Sequence, residues 1–117
     1  MKGEVEMLTK LTNELQQACQ ELKDKFLKNE PPTDVRDPEF FQQVKTETEP
    51  LFVLAEEWEK QALSAVKQRK VLVHPQQVQS TRENFELILL HSYYIDVKPQ
   101  RYMELLQAID YVCDSLN

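Results

Sequence analysis

Apolar residues recur every three or four positions in four blocks along the chain, the spacing of amphipathic helices. The first block carries Leu8, Leu11, Thr12, Leu15, Cys19, Leu22 and Phe26, with Lys10, Glu14, Gln17, Glu21 and Asp24 on the opposite face. It predicts a helix over residues 4–28, stopped by Pro31 and Pro32, because consecutive prolines cannot continue a helix. The second block opens with Asp37 as N-cap, Pro38 at the first helical position and Glu39 at the positive end of the helix dipole. Its apolar line is Phe41, Val44, Thr48, Leu51, Ala55, Trp58, Ala62, Ala65 and Val66. The line keeps its phase across Pro50, so residues 38–69 are expected to form one helix kinked at that proline.

Residues 71–74, a short β-branched run before Pro75, read as an extended connector. A third helix is predicted over 75–95, with His74 or a neighbour as its cap and Pro75 at its first position. The fourth, over 99–116, carries Tyr102, Leu105, Leu106, Ile109, Val112, Cys113 and Leu116. Short second and third connectors make successive helices antiparallel neighbours. The expected fold is all-α: an up-down-up-down antiparallel four-helix bundle in a single domain spanning 1–117.

Helix three departs from the usual one-sided pattern. At about 100° per residue its core face is Val78, Thr81, Phe85, Ile88, Leu89, Ser92 and Ile95, flanked by Tyr93. A second stripe, Leu87, Leu90, His91 and Tyr94, lies on the other side, where a surface helix is normally polar. Such a patch marks an interface, most simply a symmetric homodimer through helix three. The intramolecular alternative is that residues 29–36, or the half of helix two before Pro50, fold over it.

Composition narrows the function classes. Gly3 is the only glycine, which excludes a P-loop or dinucleotide-binding loop and makes a sheet-rich fold improbable. The net charge is −6, all of it in residues 1–60, which hold 14 acids against 8 bases. An acidic chain repels a phosphate backbone, so nucleic acid is not an expected partner. No apolar run approaches the roughly 20 residues that span a bilayer, and residues 1–10 do not resemble a signal peptide, so no membrane association and a cytoplasmic location are expected. Cys19 and Cys113 fall among core positions and read as buried free thiols. His74 and His91 complete no metal-ligand spacing, so neither a metal nor a cofactor is expected.

Ser92 beside His91 is not a catalytic dyad. The two side chains point about 100° apart on one helix, and no glycine-lined nucleophile elbow exists. Ser92 reads instead as a small core residue whose hydroxyl bonds back to the carbonyl four residues earlier. No catalytic residue is identified. Arg69 falls on the buried line of helix two. Its stem can pack with the guanidinium in solvent, it can pair with Glu4, Glu6, Asp110 or Asp114, or it can hold an anion.

The order and spacing of Trp58, Arg69, His74, Asn84–Phe85, Ser92–Tyr93 and Arg101 resemble the YppE-like family of small proteins from Gram-positive bacteria. The likeness covers about two-thirds of the chain and extends back toward Asp37–Val44, with Leu72 standing where the family's pattern has an aromatic residue. It implies a helical bundle of unknown function, and it makes Arg69, His74, Ser92, Tyr93 and Arg101 the candidate polar contacts. These are divided between the two ends of the bundle. Together the residues and the resemblance point to a non-enzymatic protein–protein interaction module, with itself or another protein as partner. The alternative is a small anionic-ligand binder or enzyme using Arg69 or Arg101.

Overall fold

The computed structural model describes residues 2–32 and 34–116, with side chains from Val5 onward. Four helices follow in chain order: α1 (Lys2–Lys28), α2 (Pro38–Lys67), α3 (Pro75–Tyr94) and α4 (Pro99–Leu116). Sequential helices run antiparallel, as cross-contacts show. Trp58 of α2 reaches Thr12 of α1, Phe40 of α2 meets Tyr94 of α3, and Phe26 of α1 stacks on Tyr102 of α4.

The section of the bundle is a rhombus rather than a square. Helices α1 and α3 run parallel and touch across the short diagonal, and each also packs against both α2 and α4. Among the described residues the backbones of α2 and α4 stay apart, across the long diagonal. The molecule is correspondingly flat and long, 49 × 27 × 20 Å.

Local signals explain the helix ends. Asp37 caps α2 by accepting the Glu39 N–H at 3.0 Å. His74 caps α3: its Nδ1 accepts the Gln76 N–H at 3.0 Å, and Gln77 Oε1 accepts the His74 N–H at 2.8 Å. The reciprocal pair satisfies two backbone donors that a helix start would otherwise leave unpaired. Helix α2 runs through Pro50 as one helix, in phase on both sides.

Two expectations about α2 are corrected. Phe41 is 58% exposed, and Phe40 is the aromatic that packs against the core. Phe40 and Phe41 lie four and three residues before Val44, both in phase with the core line, and the position of α3 decides between them, because Tyr94 meets the Phe40 ring. The helix also ends at Lys67, two residues earlier than expected. The Lys70 N–H bonds the Ala65 carbonyl and the Arg69 N–H bonds the Val66 carbonyl, with Arg69 left-handed at φ 58°. This is a Schellman termination, in which the left-handed position usually holds glycine. Arg69 therefore turns out of the buried line and is exposed. In α3, Ile95 is the C-cap rather than the last core residue, also left-handed at φ 50° and half-buried.

The core otherwise follows the periodicity. Trp58, Tyr102, Phe85, Ile88 and Leu89 are fully enclosed, and both cysteines are buried free thiols. The 71–74 connector is extended, with Val73 buried and Leu72 102% exposed.

Candidate functional site

Two buried relays, with the back-bonds of Thr48 to the Val44 carbonyl and Thr81 to the Gln77 carbonyl, use up most of the hydroxyl chemistry in the core. Ser92 Oγ gives its one proton to the Ile88 carbonyl at 2.6 Å. Tyr102, 2.6 Å away, is then the donor to Ser92. Trp58 Nε1–H donates to Thr12 Oγ1 at 3.0 Å, and Thr12 donates to the Leu8 carbonyl at 2.7 Å. Ser92 was read correctly as a back-bonding core residue, but its partner Tyr102 was missed. Burial pushes the Tyr102 phenol up to about 12. Burial likewise raises both thiols, Cys113 to about 12, and no nearby cation counters it. Nucleophilic thiolates are activated by the opposite surroundings.

The other candidate polar residues do not converge. Arg69 is exposed and makes no ion pair among the described residues, while Glu4 lies outside the described side chains. His74 is committed to capping α3. Tyr93 is buried under the ammonium of Lys25, which sits 4.6 Å above its ring. Burial first, then the neighbouring Glu47 carboxylate, raise its pKa. Arg101 is exposed and faces only Glu104, at 3.8 Å. Arg69 and His74 belong to one end of the bundle, and Ser92, Tyr93 and Arg101 to the other. No group of His, Cys, Asp and Glu among the described residues could hold a metal.

A cluster the sequence did not announce joins α2 to α3. Arg82 Nη1 donates to Glu59 at 2.7 Å and Nη2 lies 3.6 Å from Glu56. Its Nε lies 3.3 Å from Glu86 without hydrogen-bond alignment. One cation shared by three carboxylates staples the helices.

The second stripe of α3 is half as open as its pattern suggests. Leu87 and Leu90 are exposed, at 39% and 43%. Tyr94 lies under Phe40, edge to face at 5.4 Å, so the half of α2 before Pro50 does fold over that end of the stripe. His91 is half-buried, with Nδ1 2.7 Å from Asp96 Oδ1.

A broad concavity lies elsewhere among the described residues. An open groove of about 840 Å³ runs between α1 and α2, lined along α1 from Val5 to Glu21 and on α2 by Leu51 and Leu54. Thr9, Asn13 and Ala18 keep its floor low, and Glu6, Lys10, Glu14 and Glu21 stand along it. The signal for it was five consecutive apolar residues, 51–55, in α2. That is more than one helix face can bury, so Leu51 and Leu54 are left on the groove side of Ala55.

Residues 12–117 match the sequence profile of a bacterial domain of unknown function, DUF1798. Two solved structures of protein yppE from Bacillus subtilis share the fold. The X-ray structure is 22% identical with a TM-score of 0.82, over 95% of this chain and 89% of that one. The solution NMR structure is 20% identical with a TM-score of 0.77, over 94% and 89%. No curated protein matches the chain. No helix among the described residues is long and apolar enough to cross a membrane.

Proposed function

The chain belongs to the bacterial DUF1798 family, and from that premise we propose that it is a non-catalytic protein-interaction module that receives a segment of another protein along the α1–α2 groove. The groove is the observation that carries this reading. It is a long open concavity in which the half-buried Leu51 and Leu54 are left without a covering element, and binding surfaces concentrate in such features. The fate of the reactive groups supports it. The core hydroxyls are spent on internal relays, the thiols are buried, and the arginines that could grip an anionic substrate stand apart at opposite ends.

A photo-crosslinking amino acid placed at exposed Asn13, in the producing bacterium, tests it. One discrete crosslinked protein is expected from that position and none from exposed Gln107 on α4. Saturable thermal stabilisation by a small anionic metabolite, with no crosslink at Asn13, would favour the ligand-binding alternative.

A second surface is proposed on the exposure of Leu87 and Leu90, one turn apart on α3: a two-fold contact between copies of the chain.

A further inference from the structure

We propose that the α1–α2 groove takes a basic amphipathic α-helix, with aliphatic residues facing Val5, Leu51 and Leu54 and lysines or arginines facing Glu6, Glu14 and Glu21. This names the partner chemistry of the interaction module proposed above and rests on that reading.

Shape selects a helix. Both walls are helices whose backbone groups are already paired, so the groove offers no edge for an extended peptide to add to. An occupant on an apolar surface must satisfy its own backbone hydrogen bonds, and a helix does so internally. The α1 wall, from Val5 to Glu21, is about 24 Å long at 1.5 Å per residue, the length of four to five helical turns, and Leu51 and Leu54 of α2 meet it over one turn. Short side chains at Thr9, Asn13 and Ala18 let a third helix lie close to α1.

Charge selects the sign. The lining carries three glutamates and one lysine. Glu6, Glu14 and Glu21 are separated by eight and seven residues, about two turns each. Near-heptad spacing is the interval at which a helix packed alongside presents its flanking charges. Their carboxylates repel phosphates, anionic lipid headgroups and acidic helices alike. A second copy of this chain docked by the same face would set Glu6, Glu14 and Glu21 against their own counterparts.

The test uses the full chain and four synthetic peptides of about 18 residues, titrated near physiological ionic strength and followed by backbone amide NMR. Three peptides repeat leucines at i, i+3, i+4 and i+7, flanked by lysine, by glutamate or by glutamine. The fourth keeps the lysines and replaces every leucine by serine. The leucine–lysine peptide is expected to bind saturably, with shifts confined to the groove, at least about tenfold more tightly than the others. The exposed triple variant Glu6→Lys, Glu14→Lys, Glu21→Lys should transfer that preference to the leucine–glutamate peptide. Asn13→Trp, which fills the floor from an exposed position, should block both. If the glutamate or glutamine peptide occupies the groove of the wild-type chain as tightly, the charge assignment is overturned while the interaction reading stands. If the serine–lysine peptide matches the leucine–lysine one, the attraction is general electrostatics and the docking helix is overturned. If no peptide shifts the groove residues, the inference and the interaction reading fall together.

Discussion

Trp58 and Thr12 form a donor–acceptor pair inside the bundle, 3.0 Å apart, and both side chains are fully enclosed. The indole N–H can be buried only because α1 supplies an oxygen at that height. Thr12 can serve because its own proton goes to the Leu8 carbonyl one turn back. Thr12→Val keeps the shape and removes the oxygen. It is expected to cost about 1–3 kcal/mol, the penalty of an unpaired buried donor. Trp58→Ala should cost about 3–5 kcal/mol through the cavity it leaves. Urea titrations of both variants check this; a Trp58→Ala loss below about 1 kcal/mol would contradict the packing described.

Alkali should unfold the chain earlier than it unfolds most helical bundles. Cys19, Cys113, Tyr93 and Tyr102 all have folded-state pKa values raised above their ordinary 9.0 or 10.0, chiefly by burial. A raised value means the folded state holds the proton more tightly than the unfolded state. That stabilising contribution is complete below pH 9 and is lost as pH rises through the folded values, near 12 for Tyr102 and Cys113. Each group removes about 1.4 kcal/mol per pH unit between its unfolded and folded pKa. Urea midpoints should be level from neutrality to pH 9 and fall steeply above pH 10, less steeply in Tyr102→Phe. A midpoint unchanged at pH 11 would show that these groups are not buried as described.

Most of the architecture was legible because it rests on periodicity, which a single sequence displays in full. Helix existence, order, the caps at Asp37 and His74, and the buried set of α4 and, apart from the half-buried Leu11 and the unnamed Ala18, of α1 all follow from spacing and end signals. What was not legible depends on geometry between elements. Phe40 and Phe41 are adjacent identical residues, and only the angle at which α2 meets α3 decides which one packs. Arg69 lies in phase with the buried line, and only the Schellman turn takes it out. Tyr102 is an ordinary core aromatic until α4 brings it to Ser92, ten positions away. The α1–α2 groove belongs to no single helix; its trace in the sequence is an apolar surplus at 51–55 that one face cannot absorb.

Arg69 occupies a left-handed position with an exposed side chain, at a cost that glycine would not incur. Arg69→Gly removes that strain and adds back some unfolded-state entropy. The balance is a net gain of about 0.5 kcal/mol. Arg69→Val should destabilise, because a β-branched residue tolerates positive φ least. Paired thermal melts measure both; equal effects of glycine and valine would mean that the turn carries no strain.

Leu90→Glu separates the second proposed surface from the core. Leu90 is exposed, so the variant should keep its helicity. If copies pair through α3, the wild type sediments as a dimer at tens of micromolar and the variant as a monomer. A monomeric wild type at that concentration ends the α3 dimer; loss of helicity in the variant would assign Leu90 to the core.

The rhombic section also constrains how the chain is made. The central α1–α3 pair is contiguous in space but separated in sequence by the whole of α2. While a ribosome is still extending the chain, α1 and α2 emerge as a hairpin whose inner face, with Leu8, Leu15 and Trp58, has nothing to close against until synthesis passes Tyr94. A chain stalled or truncated before that point presents an open apolar sheet of side chains to the chaperones and proteases at the exit tunnel. Completion of α3 closes only one side of that sheet, because the faces of α1 and α3 that receive Tyr102, Leu105 and Ile109 stay open until α4 is made.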